Sequence, residues 1–280
     1  MKHTITKENI ARFQEELRML ERSQATIEKY SRDLLAFYRW LADGKELDKE
    51  TVMAYKMFLS ERYAPTSVNS MLAALRAFFS FMEWRDCDVK MLKIQRRIFG
   101  RKERELSKEE YERLVETAEE RGNQRLYLLL QIMASTGIRV SEMQYITVES
   151  AQQGKAEITL KGKIRVILLP GKLCRKLLKY AKKEKIASGQ LILTRSGRPM
   201  NRKEIWAQMK NLCKAAGVDA QKVFPHNLRH LFARIFYRAQ RDIAKLADLL
   251  GHSSIETTRI YLLASGDEHR RDIEQLGLIS

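Results

Sequence analysis

Residues 224–261 read FPHNLRHLFARIFYRAQRDIAKLADLLGHSSIETTRIY, and this stretch decides how the rest of the chain is organised. His226 and Arg229 lie one helical turn apart, so both project from the same side of a helix. Pro225 suits the first turn of that helix, where a missing N–H costs nothing. An apolar-periodic run follows, Gly251 is a natural helix stop, and His252 sits at the exit. Ser253 and Glu256 spell an S-x-x-E capping box, which starts a short helix expected to carry Tyr261. Consecutive short elements thus deliver a histidine, an arginine, a second histidine and a tyrosine that can fold back around one point. An anion such as a phosphodiester is what that set of side chains accommodates.

Composition bounds the possibilities. At 280 residues the chain is long enough for two domains, each with its own core. A hydrophobic content of 44% and a charged content of 31% describe a globular protein, not a disordered one. No apolar run approaches the roughly 18–20 residues needed to cross a bilayer. The N-terminal MKHTITKENI has no signal-peptide apolar region, so a cytoplasmic, nucleoid-associated location is expected. The net charge of +17 calls for a polyanionic partner. No long helix pairs a basic face with a bulky apolar one, which favours nucleic acid over a membrane surface. Cys87, Cys174 and Cys213 are odd in number, scattered and outside any C-x-x-C pattern; they read as free thiols, with no structural zinc.

The expected fold is mainly α with a small β-sheet, in two domains. Residues 1–88 read as helices only. Ile10, Phe13, Leu17 and Leu20 recur at helical spacing, as do Ile27, Tyr30, Leu34, Phe37 and Leu41. Asp48 caps a third helix, and Pro65-Thr66-Ser67 is read as a break ahead of a fourth, about Val68–Trp84. That fourth helix is rich in Phe78, Phe79, Phe81 and Met82, a buried-face spacing that marks it as the core of a four-helix domain. Residues 89–106 form a basic linker, in which Arg96, Arg97, Arg101 and Lys102 are candidate phosphate contacts.

Residues 107–280 form the second domain, opened by a capping box at Ser107 and Glu110. Two helices follow, the second nearly all apolar and ended by Gly137. Arg139 comes next in the turn, with Glu142 as its available partner and a bound anion as its functional alternative. Ala156–Leu160 and Ile164–Leu169 flank Lys161-Gly162-Lys163 as a β-hairpin, and Leu191–Thr194 reads as a third strand. Lys163 and Arg165 of the hairpin are further candidate DNA contacts. Asn201 caps a helix that Gly217 ends, and a last helix is expected over about Asp267–Leu276.

Taken together, residues 107–280 resemble the catalytic domain of the tyrosine recombinases, the family of phage-type integrases and Xer-type resolvases. The motifs that carry the resemblance are TGIRVSE around Arg139, the hairpin LKGKIRVILLP, HNLRH at 226–230, LLGH ending at His252, and TTRIY ending at Tyr261. The N-terminal helices resemble the core-binding (SAM-like) DNA-binding domain of the same family, so the resemblance spans almost the whole chain. It implies Arg139 and Arg229 as an arginine pair, Lys161 as the hairpin lysine, His226 and His252 as the histidines, and Tyr261 as the nucleophile. The hairpin is one residue shorter after its glycine than the family pattern, which makes Lys163 the competing choice for that lysine. The resemblance also implies double-stranded DNA with inverted-repeat core sites as the partner, a homotetramer on synapsed DNA that is monomeric when free, and a C-terminal docking helix.

The residue types suit the chemistry so implied. In-line attack on a phosphodiester gathers negative charge on its non-bridging oxygens, and guanidinium forks answer it bidentately. A phenol with an ordinary pKa of about 10 needs a cationic setting, or a base such as His226, to attack at neutral pH. The leaving 5′-oxygen needs a proton, which a hairpin lysine can supply. His252 would hydrogen-bond the phosphate. A 3′-phosphotyrosyl link conserves bond energy, so rejoining needs neither ATP nor a cofactor, and arginines take the electrostatic role of a metal. His226 and His230 have the spacing of helical metal ligands, but no carboxylate lies between them and Arg229 would repel a cation. Two other classes share part of this pattern: a non-catalytic DNA-binding regulator of the same fold, and a type IB topoisomerase. Mobile-element integration and chromosome-dimer resolution fit the motifs equally.

Overall fold

The computed structural model describes residues 2–41, 45–94, 105–160, 163–252, 254–262 and 274. The chain divides into two compact units, residues 1–96 and 97–280.

In the first unit, α1 (Lys7–Met19), α2 (Gln24–Trp40), α3 (Lys49–Arg62) and α4 (Pro65–Phe81) pack around one apolar core. Three of these helices start on a side-chain cap: Thr6, Ser23 and Asp48 each accept a backbone N–H from the first turn. The fourth departs from the expectation that Pro65-Thr66-Ser67 interrupts the chain. Pro65 is itself the first residue of α4, where its ring presets φ and no N–H is required. Phe37, Phe78 and Phe79 are buried, and Phe13 meets Phe78 edge-on at 5.6 Å, so the aromatic stripe is core packing. The unit is not helical throughout. His3–Thr4 (β1) pairs antiparallel with Glu46–Leu47 (β2), a ladder too short to leave a period in the sequence. His3 also places Nε2 3.0 Å from both carboxylate oxygens of Asp86 and stacks on Trp84 at 4.8 Å.

The second unit begins with α5 (Lys108–Glu120), started by the expected reciprocal capping box between Ser107 and Glu110. Next comes α6 (Gln124–Thr136), whose Leu126, Leu128, Leu129, Leu130, Ile132 and Met133 are all buried. A 3-10 turn over Val140–Tyr145 leads into α7 (Val148–Gln153), a short helix the sequence reading passed over. The hairpin follows as β3 (Lys155–Leu160) and β4 (Lys163–Leu168), antiparallel and in register from Lys155↔Leu168 to Leu160↔Lys163. The expected third strand does not join it. Around Leu191–Thr194 only isolated bridges form, Thr147↔Gln190 and Leu193↔Pro199, because that segment has no continuous strand to pair with. After α8 (Gly171–Lys183) and α9 (Arg202–Ala216) come α10 (Pro225–Gln240), α11 (Ile243–Leu250) and α12 (Ile255–Arg259), then a 3-10 turn over Ile260–Leu262. Both α5 and α10 pack on the apolar α6, which makes it the central element of this unit. Cys87, Cys174 and Cys213 are all buried free thiols. Among the described residues no helix is long and apolar enough to cross a membrane. Residues 95–104 and the expected helix Asp267–Leu276, Glu274 apart, lie outside the described residues.

Candidate active site

The site is assembled where α6, the hairpin, α10 and α11 end near one another. Gly137 terminates α6 in the left-handed conformation, with φ of 62°. A Cβ at this position would fall 2.5 Å from Cδ1 of Phe232 and 2.8 Å from Cδ2 of Leu250, so only glycine lets those side chains approach. Its carbonyl accepts a hydrogen bond from Nη1 of Arg229.

Arg139 lies just past this stop. Its backbone N–H donates to Oε2 of Glu142 and its Nη1 to Oε1, each at 2.9 Å, and Nη2 donates to the carbonyl of Gly251 at 3.1 Å. Glu142 is therefore the partner foreseen for Arg139, but it is shared. From β4, Nη1 of Arg165 donates to both oxygens of the same carboxylate at 2.9 Å, and Nη2 to the carbonyl of Leu249 at 2.9 Å. Arg165, read from sequence as a DNA contact, thus commits both terminal nitrogens inside the protein. Burial lowers its pKa from the ordinary arginine value, with the Glu142 carboxylate opposing.

Arg229 is 2% exposed. Besides the Gly137 bond, its Nη2 contacts the carbonyl of Leu250 at 2.7 Å and Nε2 of His252 at 2.8 Å. Its Nε is buried without a hydrogen-bond partner. No carboxylate pairs with it among the described residues. Burial, reinforced by the charge of Arg139, brings its pKa down to about 10, which leaves it cationic at neutral pH.

Tyr261 is buried against three histidine rings. His230 lies 4.2 Å from it between centroids, His226 lies 5.4 Å away, and His252 lies 5.4 Å away and parallel to within 10°. Nδ1 of His252 meets the hydroxyl of Thr258 at 2.8 Å. Loss of hydration holds all three imidazoles below the usual histidine range. Next in weight are Arg229 for His226, His226 for His230, and Arg229 for His252. His230 is pushed down to about 3 and His252 to about 4, so neither carries charge at neutral pH.

Of the candidate site residues, Arg139, His226, Arg229, His252 and Tyr261 are brought into one region. Lys161 lies outside the described residues, as do Arg96, Arg97, Arg101 and Lys102. Lys163 opens β4 opposite Leu160. Two details of the nucleophile segment differ from the sequence reading. The α12 cap is Ser254, which accepts the N–H of Glu256, while Ser253 lies outside the described residues; and Tyr261 sits in the 3-10 turn after α12, not on that helix. Three neighbours were missed: the Arg165 clamp, the packing of His230 on Tyr261, and Thr258. For His230 and Thr258 the signal was available, since each lies one helical turn from a candidate residue on its own segment.

The phage integrase family model matches residues 104–267, and the model of its N-terminal SAM-like domain matches residues 10–86. The chain belongs to the phage integrase family, the tyrosine recombinases. It is 30% identical over 270 residues to the tyrosine recombinase XerD of Xanthomonas campestris pv. campestris, covering 87% of this chain and 83% of that protein. With XerD of Vibrio cholerae it shares 28% identity over 258 residues, 85% of each chain. The fold is that of a lambda integrase tetramer bound to a Holliday junction (TM-score 0.74, 18% identity, 92% of this chain and 78% of that one). It is likewise that of XerH bound to a palindromic difH substrate after cleavage (TM-score 0.72, 20% identity, 96% and 84%).

Proposed function

We propose that this chain is a site-specific DNA recombinase in which Tyr261 attacks a DNA phosphodiester. The observation that carries the reading is a charge imbalance beside Tyr261. Arg139 and Arg165 share a single carboxylate, Glu142, and the buried Arg229 has no acidic partner among the described residues. A buried guanidinium without a counter-charge is costly, and a phosphate supplies that charge where the chemistry happens.

In the proposed step the phenolic oxygen of Tyr261 bonds to phosphorus and the bond to the 5′-oxygen breaks, leaving a 3′-phosphotyrosyl link. The phenol proton passes to His226, a neutral base at physiological pH because its pKa is lowered. Lys161 delivers a proton to the 5′-oxygen, with Lys163 the alternative donor. Arg139 and Arg229 hold the non-bridging oxygens, and His252 donates to one of them. Attack by a 5′-hydroxyl from another strand reverses the step, so no ATP, metal or cofactor enters the balance.

The partner is double-stranded DNA with inverted-repeat core sites. The first unit grips it as the core-binding domain over residues 1–88, and Arg96, Arg97, Arg101 and Lys102 of the 89–106 linker meet phosphates, as does Lys163. The protein is monomeric when free and assembles as a homotetramer on two synapsed duplexes; a tetramer is how the lambda integrase of the same fold sits on its junction. Association with the nucleoid follows from the net charge of +17.

The test is a nicked suicide duplex carrying a core site, which traps a covalent adduct by losing the attacking 5′-hydroxyl. Wild-type protein should form a denaturation-resistant protein–DNA species, and Tyr261→Phe should bind equally and form none. An adduct that persists in Tyr261→Phe would assign the nucleophile to another residue. Binding with no adduct from wild type would favour the non-catalytic regulator. Relaxation of supercoils that lack a core site would favour the topoisomerase.

A further inference from the structure

We infer that Thr258 is a positioning residue that fixes the tautomer of His252 and ties the nucleophile segment to that ring; this rests on the reading of Tyr261 and His252 above. A guanidinium has donors and no acceptor. The 2.8 Å contact between Nη2 of Arg229 and Nε2 of His252 therefore requires a lone pair on Nε2. His252 is neutral at physiological pH, so its one ring proton sits on Nδ1. That N–H points at Oγ1 of Thr258, 2.8 Å away, and the hydroxyl accepts it.

The place of Thr258 gives this bond its reach. The residue is fully buried on α12, three positions before Tyr261, whereas His252 follows Gly251, the glycine that ends α11. One hydrogen bond thus spans the link between the two helices and holds the imidazole parallel to the Tyr261 ring. Acceptance by Thr258 also suits both states of the reaction. When a phosphodiester draws Nη2 of Arg229 toward itself, Nε2 of His252 is released and takes a proton from water. The negative charge of the phosphate now stabilises that proton against burial and the neighbouring arginines, and Nε2 donates it as a hydrogen bond to a phosphate oxygen. Nδ1–H stays on Thr258 throughout, so the ring need not turn. A valine of the same shape offers that N–H no acceptor. The ring then moves its proton to Nε2, against Arg229, or leaves its place beside Tyr261.

The experiment has two readouts on the full chain. Nitrogen-15 spectra of histidine-labelled protein at pH 7, assigned with His252→Gln, report which ring nitrogen of His252 is protonated. Wild type and Thr258→Ser should show protonated Nδ1 and bare Nε2, and Thr258→Val should lose that pattern. On the suicide duplex Thr258→Ser should form adduct within a few-fold of wild type, and Thr258→Val about 10- to 100-fold more slowly, with half-site binding retained. Protonated Nε2 in the wild-type protein would overturn the inference whether or not any variant folds. So would a Thr258→Val protein that keeps both the wild-type tautomer and the wild-type rate. Absence of adduct from wild type would remove the nucleophile reading instead, while the tautomer measurement still decides the role of Thr258.

Discussion

Replacing Gly251 by alanine should damage the site through Arg165, at a cost that can be split into parts. Gly251 has φ of +61°, and a side chain in that left-handed region costs about 1–2 kcal/mol. The new Cβ would also fall 2.5 Å from Nε of Arg165 and press on its Cδ. That side chain cannot swing aside freely, because Nη1 is held by Glu142 and Nη2 by the carbonyl of Leu249. If the guanidinium is driven out, Glu142, only 2% exposed, keeps Arg139 alone. Losing one partner of a buried pair costs about 3–5 kcal/mol, and the surviving Arg139 places this case at the low end. The expected total is about 4–5 kcal/mol of unfolding free energy, measured by urea denaturation. A double-mutant cycle isolates the clash: in an Arg165→Ala background only the backbone strain remains, so Gly251→Ala should cost about 1–2 kcal/mol there. Equal costs in the two backgrounds would refute the argument that Arg165 is what the glycine makes room for.

Other outcomes follow from the same geometry. Cleavage by Lys161→Ala should be restored by a bridging 5′-phosphorothiolate, which leaves without a proton, whereas Arg139→Ala and Arg229→Ala should stay inactive; rescue of Lys163→Ala instead would move the acid to that residue. Stability should rise with pH from about 3 to the ordinary imidazole value of 6.5, because His230 and His252 have depressed pKa values and the unfolded chain binds their protons more tightly in that window. Urea midpoints across this range should flatten in a His230→Gln variant, and an unchanged slope would count against burial as the cause. Gly137→Ala should destabilise the second unit by a few kcal/mol through left-handed strain and the clash with Phe232, read by thermal unfolding. Deleting residues 267–280 should leave a folded monomer that binds one half-site but loses cooperative binding and recombination; collapse of its melting transition without DNA would place that segment in its own domain's core.

What the sequence made legible was local or periodic. The capping box at Ser107 stands where the S-x-x-E pattern puts it, Asn201 caps its helix as read, and Gly137, Gly217 and Gly251 each end a helix in the left-handed conformation. The encounter of His226, Arg229, His252 and Tyr261 was legible because short consecutive elements leave the chain little choice of path. What escaped depends on distant partners. Arg165 looks like an exposed hairpin cation until Glu142, 23 positions away, and the Leu249 carbonyl, 84 positions away, turn it inward. Leu191–Thr194 has strand-like residues but no ladder to join, and His3–Thr4 has a ladder but too few residues to show alternation. Pro65 was misread for a different reason: proline both ends and begins helices, and only the φ it presets and the turn it occupies decide which.

The bond between His3 and Asp86 joins positions 83 apart, and β1 adds a second stitch at residues 46–47. The beginning and the close of the helical unit therefore lie side by side. A segment whose two ends meet can be excised from one chain and spliced into another without stretching either host, since the junction spans only the gap between neighbouring ends. The clasp makes the unit a cassette. A grafted copy carrying residues 2–94 should keep its fold where one starting after Thr4 frays at both borders, so the unit can be exchanged between relatives only by moving one piece whole.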